Sequence, residues 1–220
     1  MGACAACWTG LEPLGPKTCP TCGQPRPPAT DLLGPALGRC ARCTLHPPAL
    51  LSARAAVAYD LTARRFLLRV KIGLRRELLA ALAAQLILTA RRSPDLADST
   101  VVVPVPSHPW TTLRRGFEPA RELAVPLARV LDLPLRCRLL ARRLPFRPGF
   151  KRLGAVQRKA AAGVVFRARA AVPHARILLV DDVMTTGATL EACAGALKRA
   201  GAIQVRALVW GRTLRKLEPT

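Results

Sequence analysis

Four apolar residues, Ile177–Val180, lead directly into two adjacent aspartates, and the small hydroxyl-rich stretch TTGAT follows two residues later. A strand that is apolar on both faces is typical of the centre of a parallel sheet, which helices cover on both sides. Beyond TTGAT, apolar residues recur at Leu190, Cys193 and Leu197 with the period of a helix. The stretch therefore predicts a strand, a tight turn and a helix, which is a unit of α/β folds.

The polar residues of this stretch predict a ligand. Asp181 and Asp182 fall at the carboxyl end of the strand, where open parallel sheets bind ligands. The turn Thr185–Thr189 brings backbone N–H groups to a helix N-terminus, which makes an anion cradle. Carboxylates that accept ribose hydroxyls beside a cradle for phosphate suit a ribose phosphate. The predicted binding residues are Asp181, Asp182, Thr185, Thr186, Gly187, Ala188 and Thr189.

Other readings of the stretch are weaker. Neither a G-x-x-x-x-G-K-[ST] loop nor a G-x-G-x-x-G loop occurs in the chain. A phospho-receiver domain also begins with LLVDD, but its phospho-acceptor strand must follow, and 38 residues remain after Asp182. A plain strand that ends in Asp before a Thr-capped helix would leave two adjacent carboxylates without a role.

A zinc module is predicted at the front of the chain. Six of the eight cysteines lie in the first 43 residues, as three Cys-x-x-Cys pairs. The second and third pairs are 17 residues apart, which is within the spacing of a zinc ribbon. We therefore predict one structural zinc at Cys19, Cys22, Cys40 and Cys43. A disulfide framework is the alternative, and the absence of a signal peptide argues against it.

The first cysteine pair has no fourth pair to join. Cys4 and Cys7 could compete for the same zinc, could remain from a second ribbon, or could be free thiols. Prolines cluster at Gln24–Pro28 and His46–Leu50, so the ribbon is predicted to be built from loops and to end near Pro48. We predict a zinc-ribbon module over residues 1–48 and an α/β domain over residues 49–220.

The remaining pattern and the charge limit the class of protein. A parallel sheet is supported by alternating patterns further along the chain. A helical pattern covers Thr62–Arg92 with a break at Gly73, and a β-branched run follows at Ser99–Pro106. Lys and Arg number 35 against 13 acidic residues, a net charge of +22 that predicts a polyanionic partner such as nucleic acid. Coding bias towards arginine is the alternative. No apolar run is long enough to span a membrane, so a cytoplasmic protein is expected.

The motifs resemble a known family. ILLVDDVMTTGAT is similar to the phosphoribosyl-pyrophosphate signature of type I phosphoribosyltransferases. With the ribbon, VVVPVP followed by RRGFEPARELA, and RVKIGLRRELLAALA, the whole chain resembles the ComF family, phosphoribosyltransferase-like proteins of bacterial natural transformation. The resemblance implies an α/β fold: a type I phosphoribosyltransferase-like parallel sheet flanked by helices, with a small N-terminal zinc ribbon.

The resemblance also implies a pyrophosphate side to the site, after Pro106. Its residues would be Lys71, Ser107, Arg114 and Arg115, and Mg²⁺ would accompany phosphoribosyl pyrophosphate. The family's role in DNA uptake implies three kinds of partner: single-stranded DNA, a DNA-uptake translocase or helicase, and a recombination loader. Such partners would hold the protein at the inner face of the membrane. The residues predicted to contact nucleic acid are Arg147, Lys151, Arg152 and Arg158.

Two departures from the family pattern argue against transferase activity. The usual Arg-Gly-Phe-Asn-Gln is RGFEP here, so Glu118 and Pro119 replace two amide side chains. Ala161 stands where an Asn of the flexible loop would fall. The favoured function is an accessory factor in DNA uptake, and the alternative is an active phosphoribosyltransferase in nucleotide metabolism or salvage.

Overall fold

The central sheet contains four parallel strands. The structure is a computed structural model that describes residues 8–26, 38–73, 75–142 and 166–215. In the described residues the strands are β1 (Ser52–Ala58), β2 (Val101–Pro104), β3 (Leu140–Arg142), β4 (Phe166–Ala168), β5 (Arg176–Met184) and β6 (Gln204–Arg212). The sheet has the order β1-β6-β5-β2 with every pair parallel, while β3 and β4 form a separate antiparallel pair. The predicted parallel sheet is confirmed.

Helices connect these strands. Those of the described residues are α1 (Ala41–Leu45), α2 (Leu61–Lys71), α3 (Leu79–Arg91), α4 (Pro109–Arg115), α5 (Pro119–Val130) and α6 (Ala188–Arg199). The predicted break in the first long helical pattern is confirmed, because α2 ends at Lys71 and α3 begins at Leu79. Pro119 opens α5, where its missing N–H costs no hydrogen bond, and Pro126 lies inside the same helix.

Apolar side chains cover both faces of the sheet, as the strand pattern predicts. On one face, α2, α3 and α5 pack against residues that include Leu178, Leu208 and Trp210. On the other face, α6 packs Leu190 and Cys193 against β5 and β6. Cys193 is fully buried in that cluster, as its place in the apolar pattern of the helix predicts.

The N-terminal segment covers the outer edge of β1. The Ala58 amide donates to the Glu12 carbonyl at 2.8 Å, and the Leu14 amide donates to the Ala56 carbonyl at 3.0 Å. These bonds satisfy backbone groups that an uncovered edge strand would expose. The segment leading to the four cysteines is therefore attached to the sheet by backbone pairing.

The unequal lengths of β2 and β5 create an open position at the carboxyl edge of the sheet. The pairing of β2 with β5 ends at Pro104 opposite Val180. Strand β5 continues to Met184 and stays paired with β6. Asp181 and Asp182 therefore lie inside β5, just past the end of β2, and this is the type of crevice in which α/β sheets bind ligands.

Among the described residues, no helix has both the length and the apolar character needed to cross a membrane.

Candidate functional site

The two aspartates and a lysine form the centre of the candidate ligand site. Lys71, the last residue of α2, places its Nζ atom 2.6 Å from Asp182 Oδ2. The Asp182 side chain is 14% exposed, so this ion pair is largely shielded from solvent. The Asp182 amide donates to Asp181 Oδ1 at 2.9 Å. The structure thus brings together three residues that the sequence assigned to two sides of the site.

The surroundings of Asp181 favour its protonated form. Burial raises the pKa of Asp181 to about 8, and the neighbouring charge of Asp182 adds to the rise. The Asp182 amide and the Lys71 charge act in the opposite direction. A protonated Asp181 can donate a hydrogen bond, while the Asp182 carboxylate, paired with Lys71, can accept one. This combination suits the two neighbouring hydroxyls of a ribose.

The turn Thr185–Thr189 lies next to the aspartates, at the start of α6. Gly187 has a φ of 85° and is the residue before the helix, a conformation that favours glycine. The Thr186 hydroxyl accepts from the Ala188 amide at 3.3 Å. A methyl group on Gly187 would come to 2.7 Å from Met184 Cε, so a substitution would first meet Met184. The following amides of the first helical turn are those that a bound phosphate would use.

The basic residues of the predicted pyrophosphate side lie beside Lys71. A cavity of about 390 Å³ is lined by Lys71, Ile72, Trp110, Thr111, Arg114 and Arg115. Its lining contains three cations and no carboxylate. Trp110 is 71% exposed, which is unusual for so large an apolar side chain. Trp110 is not among the site residues predicted from the sequence, although an aromatic residue within the basic stretch HPWTTLRR indicates a candidate stacking surface.

Ser107, the fourth residue of that predicted set, has a different partner. Its amide donates to Glu118 Oε1 at 3.3 Å, and the Thr112 hydroxyl donates to the same oxygen at 3.3 Å. The carboxylate of Glu118 thus accepts from one donor in the loop after β2 and from one donor in α4. An anion bound at this loop would compete with that carboxylate for the donors.

Four cysteines form the second candidate site. The Sγ atoms of Cys19, Cys22, Cys40 and Cys43 all lie within 4.8 Å of one another. The sulfurs of Cys22 and Cys40 are 3.7 Å apart. Four thiolates at about 2.3 Å from one tetrahedral ion are separated by about 3.8 Å, so the cluster fits a Cys₄ metal site. These four residues could therefore hold a metal ion.

Hydrogen bonding within the cluster already favours one thiolate. A hydrogen bond from Cys22 lowers the pKa of Cys19 to about 4, and the Cys40 amide, 3.3 Å from Cys19 Sγ, adds to the effect. Burial raises the pKa of Cys43 to about 12. When a metal ion binds, the thiols that are still protonated release their protons, and all four sulfurs become thiolate ligands.

Several predicted residues lie outside the described part of the chain. They are Cys4 and Cys7 of the first cysteine pair, the predicted nucleic-acid contacts Arg147, Lys151, Arg152 and Arg158, and Ala161. Their roles stay predictions.

The comparisons with known proteins identify the family. The phosphoribosyl transferase domain family matches residues 73–219. The chain is 32% identical to DNA utilization protein YhgH of Escherichia coli K12 over 97% of this chain and 91% of the relative. It is 30% identical to Competence protein F of Haemophilus influenzae over 56% of this chain and 53% of that protein.

A solved structure of glutamine phosphoribosylpyrophosphate amidotransferase from B. subtilis, at 19% identity, aligns with 58% of this chain and 25% of its own length with a TM-score of 0.41. The matched domain, and the YhgH relative that aligns with nearly the whole chain, show the family. The chain belongs to the ComF family of phosphoribosyltransferase-like proteins.

Proposed function

We propose that this protein is an accessory factor in natural transformation that binds single-stranded DNA and a ribose-phosphate or nucleotide ligand. The names of the relatives, DNA utilization protein and Competence protein F, support a role in DNA uptake. The observation that carries the ligand proposal is the position of Asp181 and Asp182 past the end of β2, beside the turn Thr185–Thr189.

The ligand would lie across the carboxyl edge of the sheet. Its ribose hydroxyls would bind Asp181 and Asp182, and its 5′-phosphate would bind the amides at the start of α6. The base or the rest of a strand would then extend towards the cavity lined by Lys71, Trp110 and Arg114. An exposed tryptophan offers a stacking surface for any base, and the arginines offer charge for the backbone phosphates.

Titration calorimetry tests the ribose-phosphate site, with ribose 5-phosphate alone and with phosphoribosyl pyrophosphate plus Mg²⁺. We expect Asp182→Asn to weaken binding about 10- to 100-fold, because a hydrogen bond to a charged acceptor contributes about 1.5–3 kcal/mol. Asp98→Asn is the matched control, since Asp98 pairs with Arg206 at the opposite edge of the sheet. Equal affinity in the Asp182 and Asp98 variants would place the ligand elsewhere.

The contacts of Glu118 support a ligand without pyrophosphate. Glu118 brings a negative charge to the loop where a pyrophosphate would bind, and it already accepts from the Ser107 amide and the Thr112 hydroxyl. A pyrophosphate at this loop would be repelled by the Glu118 carboxylate. It would also find the Ser107 amide and the Thr112 hydroxyl already donating to that carboxylate. We therefore infer that the site prefers a monophosphate, such as a nucleotide or the 5′ end of a strand, to phosphoribosyl pyrophosphate.

Glu118→Gln removes the charge and keeps the size of the side chain. We expect it to raise the affinity for phosphoribosyl pyrophosphate about tenfold or more, since a nearby like charge costs on the order of 1–3 kcal/mol. The affinity for ribose 5-phosphate should change little. Glu122→Gln, one turn further along α5 and paired with Arg76 at the surface, is the control. If Glu118→Gln leaves both affinities unchanged, Glu118 does not select the ligand.

An active phosphoribosyltransferase is the alternative function, and the matched domain favours it. In that case Mg²⁺ would bind with phosphoribosyl pyrophosphate, and release of pyrophosphate in the presence of a base would identify the activity. The wild-type protein should release none under the favoured proposal.

The remaining parts of the proposal concern the metal and the partners. We propose that the ion held by the four cysteines is zinc, because four cysteine sulfurs in tetrahedral range, three of them buried, match the ligand set of structural zinc sites. The DNA contacts at Arg147, Lys151, Arg152 and Arg158 stay part of the proposal. A DNA-uptake translocase or helicase and a recombination loader would be the protein partners, at the cytoplasmic face of the membrane.

A further inference from the structure

Arg212 is a buried arginine whose charge is not balanced by any carboxylate among the described residues. It is the last residue of β6 and is 1% exposed. None of its three guanidinium nitrogens has a hydrogen-bond partner in the described part of the chain. A guanidinium carries five N–H donors and does not give up its charge in proteins, so such a position is costly without an anion.

The turn that carries Cys19 and Cys22 lies against this side chain. A methyl group on Gly23, which follows Cys22, would lie 3.8 Å from Arg212 Cδ and 2.8 Å from the Ala53 carbonyl oxygen. Gly23 has a φ of 67°, so the Cys-x-x-Cys turn can approach the sheet this closely only with glycine there.

The state of the cysteines decides whether Arg212 has a partner. Four thiols, or two disulfides, carry no charge and would leave the guanidinium uncompensated. The single thiolate favoured at Cys19 without a metal accepts from Cys22 and from the Cys40 amide, and no guanidinium nitrogen of Arg212 donates to it. Four thiolates around a divalent ion carry a net charge of minus two and accept N–H groups at sulfur. Buried charges are retained where they are paired, so the orphaned guanidinium is itself an observation in favour of the metal-bound state.

We propose that Arg212 is the buried counter-charge of the metal site, and that it couples metal binding by the ribbon to the phosphoribosyltransferase-like sheet. This inference rests on the proposed metal at the four cysteines. In the metal-bound protein, Arg212 donates to the thiolate sulfurs and offsets half of the net charge. Arg212 would be a positioning residue, because in that state it donates to the sulfur ligands and not to the ion.

The coupling extends to the phosphate cradle. Arg212 lies opposite Met184 in the β5–β6 register, and the Thr213 amide donates to the Met184 carbonyl at 3.0 Å. Met184 is the residue before the cradle turn. From the ribbon side, Arg42 Nη1 lies 3.4 Å from the Thr186 carbonyl oxygen inside that turn. Loss of the metal would therefore disturb the strand ends and the turn that form the ribose-phosphate site.

Zinc affinity, measured by competition with a chromophoric chelator, tests the proposal. We expect Arg212→Met to weaken zinc binding about 10- to 100-fold, the range for residues that support metal ligands. Arg206→Met is the matched control: Arg206 is buried in the same strand at 4% exposure, but it pairs with Asp98. Arg212→Lys keeps the charge and should recover part of the affinity.

Thermal melting before and after chelation supplies the second readout. The melting temperature should fall less on chelation in Arg212→Met than in the wild type, because the variant leaves no uncompensated charge when the metal is removed. If Arg212→Met does not fold, the Arg212→Lys variant decides. A zinc affinity of Arg212→Lys equal to that of an Arg206→Lys control would overturn the inference. A zinc affinity weaker than that of the control would support it. Wild-type zinc affinity in Arg212→Met would also overturn it. A wild-type protein without metal would instead contradict the proposed zinc.

Discussion

Replacement of Cys19 or Cys40 by serine is expected to remove the bound metal and to unfold the ribbon. Structural zinc in small domains contributes apparent binding free energies of about 10–16 kcal/mol, which exceeds or matches the whole stability of a typical domain. The loss of one of four thiolates should therefore lower the melting temperature strongly. Elemental analysis of the purified protein, with melting of the same samples, measures both effects.

The composition of the ribbon explains why the effect should be large. The buried apolar cluster of this module consists of the cysteines themselves, with Cys19, Cys22 and Cys43 buried and Cys40 packed against them. Such a module has little core of its own and depends on the metal. Cys137→Ser is the control, because Cys137 is half-buried and lies outside the cluster.

The metal content also decides the role of the first cysteine pair. One zinc per chain in the wild type and none in Cys19→Ser is the expected result. Two ions per chain would show that Cys4 and Cys7 take part in a second site. A protein that keeps its metal and its melting temperature after the loss of Cys19 would contradict the four-cysteine assignment.

The sequence predicted the parts of the fold that depend on local pattern. The apolar run Ile177–Val180 predicted a central strand because residues buried on both sides must be apolar at every position. The Cys-x-x-Cys spacing predicted the cluster because two residues between cysteines fix a turn that presents both sulfurs to one ion. The aspartates and the turn Thr185–Thr189 adjoin each other in the chain, so their placement together needed no knowledge of the rest of the fold.

Contacts between distant segments could not be predicted in this way. The ion pair of Lys71 with Asp182 joins the end of α2 to β5, and nothing in either stretch specifies the distance. The burial of Arg212 depends on the position of the ribbon against the sheet, and an arginine at the end of a strand is ordinarily exposed. The sequence shows that Glu118 departs from the family pattern. It could not show that Glu118 accepts a hydrogen bond from the Ser107 amide, because that contact depends on the conformation of the loop after β2.

Neutralisation of Arg114 and Arg115 is expected to weaken single-stranded DNA binding and to reduce its dependence on salt. For a single strand the logarithm of affinity falls with the logarithm of salt concentration at a slope of about −0.7 per neutralised phosphate. Arg114→Gln/Arg115→Gln removes two cations beside the ligand site, so the slope should become shallower by about 1.4. Fluorescence anisotropy with a labelled strand, repeated over a salt series, measures it.

Two further variants separate charge from stacking. Arg91→Gln/Arg92→Gln makes the same charge change at two exposed positions at the end of α3, away from the ligand site. This variant should leave the salt slope unchanged if DNA binds locally at Arg114 and Arg115. Trp110→Ala should cost about 1–3 kcal/mol without changing the slope, because stacking on a base releases no counterions. Equal effects of the two arginine pairs would mean that DNA binds the basic surface diffusely, and no binding at low salt would contradict the DNA proposal and favour the transferase.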